Sequence, residues 1–323
     1  MGETAELNTA PTAALYTEHP YPGDGVLRAT CGRYLALGLK RHAPELLTRG
    51  NFTLADIGCG TGEAMCGVAA RFPRANVVAV DINPASLKLA QELAGREKLN
   101  VRFVRTNITE GLRDSIDEAG LLPAGGFDVV TSFGVLHHLE EPARGFAAVR
   151  ELVKPGGLFC GYVYSRFGRW DDVAVRALLD PVYPVTEFRA RAEAVRALAL
   201  SGKFTVGGFI KKLRRRLKFG PPVQPVEMFK VYLRRRNIVH LSDTFSNPCE
   251  HLFLFGELRA IVERTGWQFL ALAEGAGLPI SAEAHTRDPR ALSILRSLGE
   301  DFLYDYLAYY YACNGFTFFL KAV

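Results

Sequence analysis

Two carboxylates and three glycines at fixed spacing carry the most chemistry in this sequence. Asp56, Gly58, Cys59, Gly60 and Gly62 fall within F-T-L-A-D-I-G-C-G-T-G-E (52–63), and Asp81 lies 23 residues beyond Gly58. A short apolar strand running into a Gly-rich turn and a helix brings backbone close to a nucleotide-like ligand. The dinucleotide fingerprint needs a third glycine where Glu63 stands, so that pattern fails. A carboxylate at Asp56 would repel a pyrophosphate but suits a ligand with a cationic amino group. Asp81 ends the apolar run N-V-V-A-V-D, where it can accept both hydroxyl hydrogen bonds of a ribose or cap the next helix.

The run D-I-G-C-G-T-G-E (56–63) resembles the first motif of class I S-adenosylmethionine (SAM)-dependent methyltransferases. The resemblance implies that SAM is bound, with Asp56, Gly58, Cys59 and Gly60 around its methionine part, Asp81 at the ribose and Ile82 against the adenine. Asn107 stands where the family usually has an aspartate that accepts from the adenine N6 amino group. Its side-chain oxygen can still accept, and its NH2 adds a donor. The Ile108 backbone N–H is expected at adenine N1 and Phe133 near the methionine part. Cys59 and Cys66 also suit plain packing, since no acid or base partner is evident. The stretch Y-T-E-H-P-Y-P-G-D-G (16–25) resembles the cover that many small-molecule members lay over the cofactor, with Tyr16 and Tyr21 touching it. It also reads as an ordinary surface turn. F-G-V-L-H-H-L-E-E-P (133–142) resembles the family's segment after strand four. His137 or His138 could serve as a general base, or shape the wall of the site.

The elements that must position these residues alternate strand and helix from Phe52 onward, which implies a parallel α/β sheet. Strands are expected at 52–57, 76–81, 101–106, 127–132 and 158–163, the fifth after a K-P-G-G turn, with helices between them. Two more follow, W-Q-F-L-A-L-A and G-F-T-F-F-L-K, separated by a helical 289–312. The fold class is a doubly wound, seven-stranded, mostly parallel Rossmann-like sheet. The family resemblance adds that the last strand runs antiparallel. Residues 1–12 read as a frayed end. The expected division is an N-terminal cover and helix (1–50), a SAM-binding core (51–164), an inserted helical lid (165–255) and the end of the sheet (256–323). A structureless loop as long as 165–255 would be improbable.

With 323 residues, 48% hydrophobic, the chain can bury a large core. No run approaches a membrane span and the first residues lack a signal peptide's apolar core. The six cysteines form no C-x-x-C pair. Neither a zinc site nor a disulfide framework is expected, and a reducing cytoplasm is the simplest setting. The net charge of +5 is uneven, because residues 203–236 alone carry +10 and leave −5 elsewhere. Ile210, Leu213 and Leu217 recur there at helical spacing among lysines and arginines, as on a solvated helix, a polyanion-binding surface or one for an anionic membrane. Apart from Phe209, Phe219 and Phe229 no aromatics interleave and no RNA module is visible, so nucleic acid is not the favoured partner. H-L-S-D-T-F-S-N-P-C-E-H (240–251) resembles a stretch after the insertion of some bacterial small-molecule members. Asp243 and His251 become acceptor-site candidates there, or caps for the following helix. No ligand spacing recurs, so no metal site is expected. The expected function is SAM-dependent methyl transfer to a small molecule in a closed pocket. The rivals are an RNA or protein methyltransferase docking through 203–236, and a SAM-binding protein without transferase activity.

Overall fold

The computed structural model describes residues 10–21, 26–200, 237–273, 280–311 and 313–323. The basic segment 203–236 lies outside the described residues, as does all but the end of the N-terminal run 1–12. The chain divides into two compact units. The first comprises Met1–Val163, Arg259–Ala273 and Thr317–Val323, and the second Tyr164–Leu258 and Glu274–Phe316.

The first unit is built on the sheet. Its strands are β1 (Thr53–Ile57), β2 (Asn76–Asp81), β3 (Val101–Arg105), β4 (Phe127–Phe133), β5 (Val153–Tyr164), β6 (Trp267–Leu272) and β7 (Gly315–Ala322), in the order β3-β2-β1-β4-β5-β7-β6. Pairs from β3 through β5 are parallel, and β6 and β7 pair antiparallel. The strand order reverses beside β1, and ligands in open α/β sheets bind in the crevice beyond such a switch. The central strands are apolar without alternation because both faces are covered. Among the described residues, seven α-helices precede or connect β1 to β5: α1 (Ala10–Glu18), α2 (Val26–His42), α3 (Pro44–Arg49), α4 (Glu63–Arg71), α5 (Pro84–Arg96), α6 (Leu112–Glu118) and α7 (Pro142–Leu152). Asn83 caps α5, accepting from the N–H groups of Ala85 and Ser86, with Pro84 in the first turn.

Three expectations need correction. Residues 10–12 are not frayed, because they open α1, whose Leu15 is buried. The K-P-G-G segment does not precede β5 but lies within it. Phe127 pairs with Val153 and Val129 with Leu158, so the extra residues bulge out around Gly156 at φ +76°. The helical 289–312 is two helices, Pro289–Ser297 and Gly299–Tyr311, broken at Gly299, which has φ +82°.

The second unit holds α8 (Trp170–Leu179), α9 (Phe188–Leu200) and the helix Ile238–Ser246, packed around Leu179, Val195, Leu241 and Phe245. Arg191 pins them together. Its fully buried guanidinium donates to the carbonyls of Phe245, Tyr183 and Arg176 and pairs with Asp180 at 2.7 Å.

Candidate cofactor site

The first unit encloses a cavity at the C-terminal ends of β1, β2, β3 and β4. The space open to water centres is about 140 Å³. One water occupies about 10–15 Å³ on that measure, so the room equals about ten waters, a nucleoside rather than an ion. Ten residues predicted to bind the cofactor line it: Tyr16, Tyr21, Gly58, Cys59, Gly60, Asp81, Ile82, Asn107, Ile108 and Phe133.

The glycine turn is arranged unlike a phosphate cradle. A phosphate loop aims its backbone N–H groups at the ligand. Here five successive amides donate to the protein itself. Those of Gly58 and Cys59 go to the Val80 carbonyl, that of Gly60 to Asp81 Oδ2, that of Thr61 to the Tyr21 carbonyl and that of Gly62 to the Cys59 carbonyl. Gly58 and Gly62 are required by packing as well as by their positive φ of +75° and +84°. A Cβ at Gly58 would fall 2.4 Å from the Val135 side chain, and one at Gly62 would fall 3.0 Å from Cα of Ala90 on α5.

Asp81 sits on the cavity wall with both oxygens oriented, Oδ2 by Gly60 N–H at 2.8 Å and Oδ1 by Asn83 N–H at 2.9 Å. Each oxygen keeps a lone pair for a ligand hydroxyl. Burial raises its pKa, against the backbone amides of Asn83, Gly60 and Ile82. Asp56 does not line the cavity. It is 3% exposed and accepts from Thr131 Oγ1 at 2.5 Å. Its pKa rises to about 6, mainly through burial, which the Thr131 hydrogen bond opposes and the charge of Asp81 reinforces. It therefore stands behind the turn rather than on the cavity wall. The cavity thus combines apolar walls from Ile82, Ile108, Phe133 and Val135 with negative charge at one end. That donor and acceptor set fits a nucleoside bearing a cationic tail.

Asn107 also lines the cavity. Its Oδ1 accepts from both Thr109 N–H and Thr109 Oγ1, each at 3.1 Å, so its lone pairs are engaged within the loop. What it offers the cavity is its NH2.

His138 lines the cavity, with its ring 6.5 Å from that of Tyr16, whereas His137 is fully buried behind it. Asp243 and His251 belong to the second unit and are not among the lining residues. Asp243 lies inside the helix Ile238–Ser246 rather than at a cap, and accepts from Tyr164 Oη at 3.2 Å. Nearby in sequence, Glu250 bridges Arg169 at 3.4 Å and Arg176 at 3.3 Å. His251 is exposed. Among the described residues no group of His, Cys, Asp or Glu is placed to hold a metal ion.

Sequence reasoning missed Thr12, Ala64, Asn83, Ser86, Gly134, Val135 and Leu139 on the wall. The N-P-A-S run (83–86) carried a usable signal, since an Asn-Pro helix start directly after Asp81 must adjoin the same loop.

Comparison with known proteins agrees with this geometry. Residues 55–159 match the family described as a methyltransferase domain. An uncharacterized protein of Synechococcus sp. is 37% identical over 128 residues, covering 40% of this chain and 28% of that protein. A malonyl-[acyl-carrier protein] O-methyltransferase of Halalkalibacterium halodurans is 30% identical over 115 residues, covering 36% of this chain and 39% of that enzyme. The chain therefore spans well under half the length of these curated relatives. The structure of PKMT2 from Rickettsia typhi superposes with a TM-score of 0.62 at 16% identity, over 94% of this chain and 55% of that one, which is a likeness of fold. The segment that carries the glycine turn and the strand-end acid thus matches the methyltransferase domain family, and the fold around it is that of a SAM-dependent methyltransferase.

Proposed function

We propose that the protein transfers a methyl group from SAM to a small-molecule acceptor. The observation that carries this reading is the turn whose five amides are all engaged within the protein, beside a cavity-lining carboxylate with no cation paired to it among the described residues. Such a site disfavours phosphate and favours a neutral nucleoside with a positive tail. In the proposed arrangement Asp81 accepts from the ribose hydroxyls, Ile82 and Ile108 pack on the base, and Phe133 with the turn borders the methionine part. Asp56 adds negative potential from behind. SAM supplies a methyl on a sulfonium, whose leaving group departs neutral. The chain's own contribution is then largely proximity, alignment and exclusion of water. If the acceptor must lose a proton, His138 is the better placed of the two histidines, since His137 is shut away from the cavity.

The relative from Halalkalibacterium halodurans acts, by its name, on malonyl-[acyl-carrier protein], which supports an acceptor of metabolic kind. The test is incubation of the protein with methyl-labelled SAM and a fractionated metabolite extract. Label in a small molecule, free or released by hydrolysis from a carrier protein, supports the reading, and label confined to RNA or to protein side chains overturns it. The charge of residues 203–236 favours that second outcome. It predicts methylation that falls steeply with added salt.

A further inference from the structure

The helix α1 supplies Thr12 and Tyr16 to the cavity wall. Nine residues make too short a helix to persist unaided in water, so the core must hold it in place. Two hydrogen bonds tie its end and the residues that follow to the core. Asn83 Nδ2 donates to Thr17 Oγ1 at 3.0 Å, and Thr61 N–H donates to the Tyr21 carbonyl at 3.2 Å. Both anchors sit in the loops that shape the candidate cofactor site, Thr61 in the glycine turn and Asn83 two residues past Asp81.

Asn83 is 3% exposed and is bonded on every side. Its Oδ1 caps α5, its backbone N–H holds Asp81 Oδ1 at 2.9 Å, and its Nδ2 reaches α1. One buried side chain therefore joins the proposed ribose carboxylate to α1, which supplies another part of the cavity wall.

We propose that Asn83 is a positioning residue that couples the docking of α1 to the setting of Asp81, so that a ligand held at Asp81 and a docked α1 stabilise each other. The ligand half of this inference rests on the function proposed above. Coupling of this kind is reciprocal. A filled cavity quiets α1, and an unhooked α1 speeds release.

The test uses Thr17→Val, which keeps shape and removes the acceptor at an exposed position. Asn83→Asp is the second variant. It keeps the Oδ1 cap and removes the donor. Hydrogen exchange of the α1 amides is read first, without ligand. Exchange about three- to tenfold faster than in the parent, with α5 unchanged, is expected, the span commanded by a single neutral hydrogen bond. Release of S-adenosylhomocysteine is then followed by stopped flow. A similar acceleration of dissociation with association nearly unchanged is expected, because contacts made after encounter act on the off-rate. Thr17→Val with parental α1 exchange and parental release overturns the proposal. A parent protein that fails to bind S-adenosylhomocysteine overturns the cofactor reading instead, and the ligand-free exchange still decides whether the hook exists.

Discussion

The two ends of the parallel sheet treat their carboxylates in opposite ways. At the start of β4, Asp128 is met by Arg49 at 3.1 Å, by Lys154, and by the N–H and hydroxyl of Thr53. Burial alone would raise its pKa, but the hydrogen bonds from Lys154 and Thr53 more than reverse this and hold it below the ordinary value. At the other end, Asp56 and Asp81 are buried with no Lys or Arg paired to either among the described residues, and both are pushed upward. One end is neutralised by the protein. The other leaves its carboxylates unneutralised, Asp81 on a cavity wall and Asp56 behind it. The difference teaches where the fold gains stability from a carboxylate and where it carries one at a cost in stability.

Three variants would break or sharpen this contrast. The largest effect is expected for Asp56→Asn in ligand-free protein. A carboxyl whose folded pKa is raised from 3.8 to about 6 penalises the folded state fully above the folded value, and the penalty is gone below the unfolded one. The stability difference between variant and parent should therefore move by about 3 kcal/mol in the variant's favour as pH rises from about 3.5 to about 8. Any constant offset from the new buried amide cancels. Urea unfolding across that range measures it, and a flat difference would sink the idea of stored charge. Next is Asp81→Ala. It should weaken S-adenosylhomocysteine binding by about 2 kcal/mol, roughly thirtyfold in dissociation constant by calorimetry. An unchanged constant would remove Asp81 from the site. The smallest is Asp128→Ala. Arg49 is half exposed and Lys154 more than a third, so screening limits the loss to about 1 kcal/mol at neutral pH. With a depressed folded pKa, that loss is present above the unfolded value near 4 and fades as pH falls through the folded one. Asp128→Ala as stable as the parent at pH 7 would show that this end is not held by its charges.

Much of the sheet was legible because strand and helix signals alternate cleanly, and because the turn at Gly58–Gly62 and the acid at 81 have fixed spacing. The burial of Asp56 was not legible. A strand covered on both faces has no alternation, so nothing local says which way a side chain near its end points. The helix α1 was hidden for a related reason. A-P-T-A-A-L-Y-T-E has no periodic apolar face to announce it. In the second unit, the polar residues at 240–251 suggested a site, but their partners were not legible: Asp243 accepts from Tyr164, and Glu250 pairs with Arg169 and Arg176. Those partners lie some seventy to eighty residues away, beyond the reach of any local pattern.

The clash that a side chain at Gly58 would make is with Val135, and that at Gly62 with Ala90. Neither involves a ligand. A descendant that bound no methyl donor would still need both glycines to fold, whereas the carboxylate at position 81 could be given up at the cost of its two amide hydrogen bonds, of which an asparagine, with its single oxygen, would keep one. The signature of a silenced copy would thus be a vanished charge behind an intact glycine motif, and the motif by itself certifies architecture rather than livelihood.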